Sequence, residues 1–209
     1  MGFFDTGPSA SYRRVLVFAL GLGLTAALAF SSVASAGQTS TGSTAAAATA
    51  TTIYRPYYSV EVYYLRLLNC TRTGGWVTSG GSCMGYGSGR YSKYVAPLPL
   101  SSRISDYVSR PYARMLAVKN LCGHYSDGDP GYRLRRAGLA YSAYGENLGC
   151  RNVSPYASVL GSHLFFQSER SYNGWHWRNM KNPLFRLVGI GVWAYGGRTR
   201  LLVDFYRPA

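Results

Sequence analysis

Acidic side chains are scarce in this sequence, and so is lysine. Only 8 of its 209 residues are Asp or Glu, against 22 Lys and Arg, and Arg outnumbers Lys 19 to 3. The formal net charge of +14 at pH 7 favours anionic partners, such as cell-wall polymers, lipid head groups or anionic glycans. No RNA- or DNA-binding motif accompanies this charge, so nucleic acid is not an expected partner.

The sequence also lacks the common motifs of hydrolases and zinc fingers. It has no Gly-x-Ser-x-Gly nucleophile elbow and no His-Glu-x-x-His motif. It has only four cysteines, and no two of them are spaced as Cys-x-x-Cys, which argues against a zinc site made of cysteines. A polar site in this chain must therefore draw on its three histidines and few carboxylates.

The first 36 residues have the pattern of an export signal. Arg13 and Arg14 precede an apolar run, Val15 to Phe30, and Ala34-Ser35-Ala36 supplies a small-x-small cleavage pattern. The apolar run is short for a membrane span, which favours a cleaved signal over the alternative of an uncleaved anchor. Membrane contact is therefore expected to be peripheral. We predict a signal peptide at 1–36 and a secreted, extracellular protein, with cell-wall association as a further expectation.

Export makes disulfides plausible for the four cysteines, which allow three pairings. A bond between Cys70 and Cys83 would close a loop of small residues that has little else to hold it. A bond between Cys122 and Cys150 would tie the segment of His124 to that of Glu146. We predict these two pairings.

The rest of the chain predicts a linker and one mixed domain. Residues 37–53 are mostly Ser, Thr, Ala and Gly, which indicates a flexible linker before a domain at 54–209. The pairs Asp129-Pro130 and Ser154-Pro155 are typical helix starts, and Gly138 is a typical helix end. Two β-rich runs separated by Gly196-Gly197 indicate a hairpin, which makes the fold α+β.

Two further helices are predicted from the spacing of apolar residues. The first begins near Ser59, and the second begins at Ser101 or Ser102 and is kinked or split by Pro111. Their predicted core-facing stripes are Val60, Tyr63, Tyr64, Leu67 and Leu68 in the first, and Ile104, Tyr107, Val108, Pro111, Met115 and Val118 in the second.

Five separated motifs resemble, in their order, those of the CAP superfamily. This is the group of cysteine-rich secretory proteins, antigen 5 and pathogenesis-related-1 proteins, called SCP or YkwD-like in bacteria. The motifs are His124, Gly145-Glu146-Asn147, Glu169 seven residues before His176, Asn179 to Pro183, and Val188-Gly189-Ile190-Gly191-Val192. The resemblance implies a three-layer αβα sandwich whose surface cleft holds a tetrad, which falls on His124, Glu146, Glu169 and His176.

The match is uneven around the last histidine. The segment from Tyr172 to Arg178 departs from the Ser-Pro-Gly-His-Arg sequence usual in bacterial members, and Phe166 stands where the family usually has Trp. His176 is nevertheless the counterpart of the family histidine, because the following Asn179 and Asn182-Pro183 align without a gap.

The tetrad residues can serve two kinds of site. His124 and His176, with Glu146 and Glu169 as optional further ligands, could hold Zn²⁺ or another divalent metal. In the alternative, no metal binds and each carboxylate orients a histidine. Either way, we predict that the three segments converge on one shallow polar site, with the backbone turning at Gly145 and Gly149.

Other side chains have two interpretations each. Trp175 and Trp177 are either a platform for carbohydrate or lipid, or part of the core. His163 is interpreted as a packing residue. Arg133, Arg135 and Arg136 are interpreted as a solvated helix face, with an anion-binding patch as second choice.

The functional expectation is a secreted CAP-domain protein that acts by binding a cell-wall polymer, lipid or anionic glycan. The alternative is a metal-dependent extracellular peptidase or esterase, in which Glu146 and Glu169 would be the catalytic residues.

Overall fold

An antiparallel sheet of three strands forms the centre of the fold. A computed structural model describes residues 53–209, so the predicted signal peptide and almost all of the predicted linker lie outside the described residues and stay predictions. Among residues 53–209, no helix is both long and apolar enough to cross a membrane.

Helices and strands are interspersed along residues 53–209. The helices are α1 (Tyr58–Arg72), α2 (Ser102–Ile104), a π-helical turn (Ser105–Ser109), α3 (Arg110–Val118), α4 (Pro130–Arg136), α5 (Pro155–Ser168), a 3₁₀ turn (Glu169–Tyr172) and α6 (Trp175–Lys181). The strands are β1 (Trp76–Val77), β2 (Cys83–Met84), β3 (Tyr141–Arg151), β4 (Leu187–Tyr195) and β5 (Arg198–Pro208). β1 and β2 form a small separate hairpin, and the main sheet has the order β3-β5-β4.

Alternating residues of β5 show that helices cover both faces of the sheet. Leu201, Val203 and Phe205 belong to a core built with residues of α1, α5 and α6. Leu202 packs with residues of α3, and Tyr206 packs with residues of α2, the π turn and α4. Because successive side chains of a strand point to opposite faces, this division defines three layers. The predicted αβα sandwich of α+β class is confirmed.

Several local predictions are confirmed by the structure. The Asp129 side chain caps α4 by accepting a hydrogen bond from Tyr132 N at 2.9 Å, and the left-handed Gly138 follows the helix. β4 and β5 pair as the predicted hairpin, with positive φ at both Gly196 and Gly197. Both predicted disulfides, Cys70–Cys83 and Cys122–Cys150, are present.

The predicted core stripe of the second helix is wrong at three of its six positions. Tyr107, Pro111 and Val118 are exposed, whereas Tyr112 and Leu116 are buried. The cause is the π-helical turn at Ser105–Ser109, because a turn with i to i+5 hydrogen bonds inserts one residue and rotates everything after it.

The predicted backbone turn at Gly145 and Gly149 is also wrong, because both residues lie inside the extended strand β3. The glycines are needed for close packing instead. A Cβ at Gly145 would lie 2.8 Å from Asn179 Oδ1, and one at Gly149 would lie 2.3 Å from Ser162 Oγ. Their absent side chains therefore allow α5 and α6 to lie directly on β3.

The outer edge of β4 is closed by groups from the helices. Ile190 N donates to Ser105 Oγ at 2.9 Å, and Val192 N donates to Glu61 Oε1 at 3.2 Å. Gly191 permits this approach, since a Cβ there would lie 2.3 Å from the carbonyl carbon of Ser109. The strand edge is thus satisfied within the domain.

His163 lies in the core between α1 and α5, as predicted for a packing residue. Its side chain is fully buried, and Nε2 lies 2.9 Å from Thr71 Oγ1. Burial lowers the pKa of His163 from 6.5 to about 3, because desolvation disfavours the charged imidazolium.

The buried imidazole predicts a loss of stability in mild acid. The unfolded chain takes up a proton as the pH falls below 6.5, whereas folded His163 stays neutral down to about 3. Between pH 7 and pH 5 this difference should remove about 2 kcal/mol from the free energy of unfolding. Urea titrations at both pH values measure this loss. His163→Gln, which keeps a hydrogen-bonding side chain, should abolish most of it, and an unchanged slope in that variant would contradict the assignment.

Candidate functional site

The first pair of the predicted tetrad is His124 and Glu146. Glu146 lies near the middle of β3 and is 7% exposed, and its Oε1 is 2.6 Å from His124 Nδ1. The Cys122–Cys150 disulfide joins the loop of His124 to the far end of the same strand. His124 remains partly exposed. The segments of His124 and Glu146 therefore lie together in the structure.

Arg133 organises this pair from helix α4. The guanidinium donates to Glu146 Oε2, and its Nη1 donates to the carbonyl oxygens of His124 at 2.9 Å and Gly128 at 2.6 Å. It also lies 3.7 Å from the ring centre of Tyr112, and the residue is only 2% exposed. The interpretation of Arg133 as part of a solvated helix face is therefore wrong, although Arg135 is exposed as expected.

A second carboxyl group lies beside Glu146. Asp204 of β5 is directly opposite Glu146 in the strand register and is fully buried. Ser109 Oγ donates to Asp204 Oδ2 at 2.7 Å. Burial, and then the neighbouring Glu146 carboxylate, raises the pKa of Asp204 well above its usual range. Arg133, which contacts Glu146, is the cation beside this pair of carboxyl groups.

The second pair is Glu169 and His176. Glu169 Oε1 lies 2.6 Å from His176 Nδ1, while Oε2 accepts the backbone N–H of His176 at 2.8 Å. Glu169 thereby binds the start of α6 as well as the imidazole. The ring of Phe166 stacks on His176 with centroids 4.4 Å apart. The aromatic residue at this position thus fixes the plane of the histidine ring.

Two asparagine side chains connect the pairs. Asn147 Nδ2 donates to His176 O at 3.1 Å. Asn179 Nδ2 donates to Glu146 O at 3.1 Å and to Asn147 Oδ1 at 2.9 Å. Since β3 is an edge strand of the main sheet, these bonds hold α6 against its outer edge. The amide bridge is the physical link between the two halves of the predicted site.

The four residues form two pairs and not one cluster. Glu146 shares a sheet face with Asp204, on the side of α3 and α4, whereas Glu169 and His176 belong to the α5 and α6 layer. Among residues 53–209, no three His, Cys, Asp or Glu side chains form a group that could hold a metal ion. The side chains meet within each pair, and the side chains of Asn147 and Asn179 connect the two pairs.

The contacts within each pair restrict which side-chain atoms could coordinate a divalent metal ion. Both carboxylates orient a histidine through Nδ1, an arrangement that often supports metal-binding imidazoles. Glu146 is also paired with Arg133, and Glu169 also accepts backbone N–H groups, so neither carboxylate is well placed to be a ligand or a general base. In each pair Nε2 is the ring nitrogen that the carboxylate does not contact.

The two tryptophans of the predicted platform have different environments. Trp175 is 74% exposed, and the Arg178 guanidinium lies 4.4 Å from its ring centre. Trp177 is 8% exposed and packs in the core with Met180. Only Trp175 is therefore a surface aromatic, and the inclusion of Trp177 in an exposed platform is wrong.

Arg133 and Asp204 were not recognised as site residues from the sequence. The sequence did mark Asp204 as unusual. It is a single acidic residue within the apolar run Leu201 to Tyr206, whose pattern predicts a buried strand. Nothing in the sequence distinguishes Arg133 from Arg135 and Arg136, because the burial of Arg133 depends on its contacts with Tyr112 and Glu146.

Comparisons with known proteins return structural neighbours only. No family model matches the chain, and no curated protein does. Five solved chains match in structure. One is an extracellular protein containing a SCP domain from Bacillus anthracis, which is 20% identical with a TM-score of 0.44, and the match covers 54% of this chain and 34% of that one.

Two further neighbours are matched over more of their length. NaASP2, solved with Zn²⁺, is 11% identical with a TM-score of 0.46, and the match covers 72% of this chain and 86% of that one. Schistosoma mansoni venom allergen-like protein 4 is 11% identical with a TM-score of 0.42, over 73% and 88%. All three are CAP superfamily proteins, the group that the order of motifs here resembles. At these scores and identities the matches carry no argument about ligand or activity.

Proposed function

We propose that this chain is an extracellular CAP-type protein that acts by binding an anionic polymer of a cell envelope or extracellular surface. The observation that carries the proposal is the way its few carboxylates are used. Within residues 53–209, Glu61, Asp106, Asp127 and Glu146 are each paired with an arginine. Asp129 caps α4, Asp204 is buried, and Glu169 binds His176.

The consequence is a surface whose positive charge is not balanced locally. Exposed basic residues that pair with no carboxylate in the described part of the chain are Arg66, Arg90, Lys93, Arg103, Arg114, Lys119, Arg135, Arg170, Arg178 and Arg186. Such a surface attracts polyanions over roughly a Debye length, about 8 Å at physiological salt. Exposed aromatic residues between these charges add surface on which sugar rings can stack.

Binding should depend on the charge of the polymer more than on its backbone. We expect the purified protein to be retained on beads that carry polygalacturonate and to elute from beads that carry its fully methyl-esterified form. The two polymers share a backbone and differ in their carboxylates. Equal retention on both would overturn the proposal, as would retention on neither.

The paired histidines support a proposal about metal. We propose that His124 and His176 bind a divalent ion such as Zn²⁺ through Nε2, with Glu146 and Glu169 as orienting partners. A bound zinc ion would supply Lewis acidity and an attachment point for an anionic ligand group. The residues of this chain contribute the fixed ring orientations, through Nδ1 contacts of 2.6 Å in both pairs.

Zinc titration with elemental analysis tests this proposal. The wild-type protein should bind zinc, and His124→Ala and His176→Ala should each abolish stoichiometric binding. Glu169→Gln should weaken zinc affinity by about 10- to 100-fold, since it removes an orienting carboxylate and no ligand. Unchanged zinc binding in both histidine variants would contradict the assignment. Absence of zinc from the wild type would leave the hydrogen-bonded pairs as the complete site.

A further inference from the structure

Two surface grooves meet at helix α6. The larger, of about 460 Å³, is lined by basic and aromatic side chains that include Lys93, Tyr94, Arg170, Trp177 and Lys181. The second, of about 390 Å³, is lined by Trp175, Arg178, Asn173, Asn179 and Asn182. Lys181 and Pro183 line both grooves, so the two adjoin at these residues, and together they are called the track.

The track is positively charged without any compensating acid. None of the seven acidic residues within 53–209 lines either groove. Lys181 Nζ donates only to backbone carbonyls, those of Thr71, Arg72 and Lys93, at 2.7 to 2.9 Å. The charge of this ammonium group is therefore held in place while no carboxylate neutralises it.

A buried arginine adds a further positive charge beneath the larger groove. Arg72 is fully buried, and its guanidinium donates to the carbonyl oxygens of Ala96, Met180 and Asn182. Its Nη2 has no hydrogen-bond partner among the described residues, and the same is true of Ser92 Oγ, which belongs to the groove lining. Since both atoms are inaccessible, Arg72 can act on a ligand in the groove through its charge and not by direct contact.

Arg72 and Arg170 both repel the ammonium group of Lys181. Burial, followed by Arg72 and Arg170, lowers the pKa of Lys181 to about 8, and burial with Arg186 lowers the pKa of Arg72 to about 10. An anion in the larger groove would relieve this repulsion. The region is therefore suited to receive negative charge.

The residues that line the two grooves favour an acidic sugar chain over other anions. The smaller groove offers amide groups that hydrogen-bond hydroxyls, together with the exposed ring of Trp175. An aromatic ring beside amides and a cation matches a hydroxylated ring that bears an acid group. Two adjoining grooves along one helix match an extended chain of such rings better than a single head group.

From these observations we propose that the track along α6 is the binding site for an extended anionic glycan, whose sugar residues carry carboxylate or phosphate groups. The acid groups lie in the larger groove against Lys93, Arg170 and Lys181. A sugar ring of the same chain stacks on Trp175. This inference rests on the proposed binding function and assigns that function to one surface.

Binding of soluble oligogalacturonate, measured by isothermal titration, tests the assignment. Lys93→Ser with Arg170→Ser should weaken affinity at least tenfold, since each exposed cation contributes a charge-assisted contact. The matched control is Arg66→Ser with Lys119→Ser, which removes the same charge from exposed positions that line neither groove and should weaken affinity by threefold at most. Trp175→Ala should weaken binding of the oligogalacturonate although it removes no charge.

The outcomes separate this inference from the general function. Equal weakening in the two double variants, or full affinity in Trp175→Ala, would overturn the α6 site while retention on polyanion beads stands. Failure of the wild-type protein to bind either the oligomer or the beads would instead overturn the proposed function. Preferential binding of sulfated or phosphorylated oligosaccharides over the galacturonate would support the site and identify its acid group.

Discussion

Replacing Arg133 with methionine is expected to lower the free energy of unfolding by about 3 to 5 kcal/mol, the cost typical of leaving a buried charge without its partner. The variant leaves Glu146 beside Asp204 with only His124 to balance it, and both carboxyl groups are buried. It also removes the hydrogen bonds that hold the loop carbonyls of His124 and Gly128. Urea unfolding at pH 7 measures the loss.

Two variants make this prediction specific. Arg135→Met on the same helix removes an equal charge from an exposed position and should cost less than about 1 kcal/mol. Glu146→Gln in the Arg133→Met background should recover much of the lost stability, because it removes the unpaired charge. If Arg133→Met were as mild as Arg135→Met, the ion pair would not organise the site.

Removal of the Cys122–Cys150 disulfide has the second largest expected effect. The two cysteines are 28 residues apart, and the chain-entropy relation then gives a loss of about 3 to 4 kcal/mol. Replacement of both by Ala should also release the loop that carries His124 from β3. Thermal unfolding measures the first effect, and the NMR signals of the His124 imidazole report the second.

The other disulfide is the control. Cys70–Cys83 spans 13 residues and should contribute about 3 kcal/mol, yet it joins α1 to β2 and includes neither the His124 loop nor β3. Its removal should leave the His124 signals unchanged. A similar disturbance of His124 in both double variants would contradict the claim that Cys122–Cys150 positions this residue.

The parts of the fold that were predictable are those encoded by neighbouring residues. The Asp129-Pro130 start of α4 and the Gly196-Gly197 hairpin depend on a few adjacent positions, whose backbone preferences act locally. The four tetrad positions came from the order of motifs. Each of these features could be recognised without knowledge of distant contacts.

The features that escaped prediction depend on residues far apart in the chain. Gly145 and Gly149 suggest a backbone turn, but both lie within strand β3. Their lack of a side chain allows the close approach of Asn179 and Ser162. The π-helical turn has no strong local signature, although its packing against Gly191 is clear in the structure. Arg133 is buried only because the sheet brings Glu146 beneath helix α4.

The two-pair arrangement sharpens what the site can do. Each carboxylate already holds a histidine, and Glu146 also holds an arginine, so the catalytic roles considered for Glu146 and Glu169 would require these bonds to break. Binding requires no such change. The unbalanced cations of the surface and the oriented histidines are both available in the folded state as it stands.

The salt dependence of sedimentation with purified cell walls and membranes tests the central claim most directly. The account predicts that the wild-type protein co-sediments with envelope material that carries anionic glycans at about 0.05 M salt, and that its apparent affinity falls at least tenfold by about 0.5 M as the surface charges are screened. Absence of retention at low salt, or retention that is insensitive to salt, would contradict the claim that this protein acts by binding an anionic polymer.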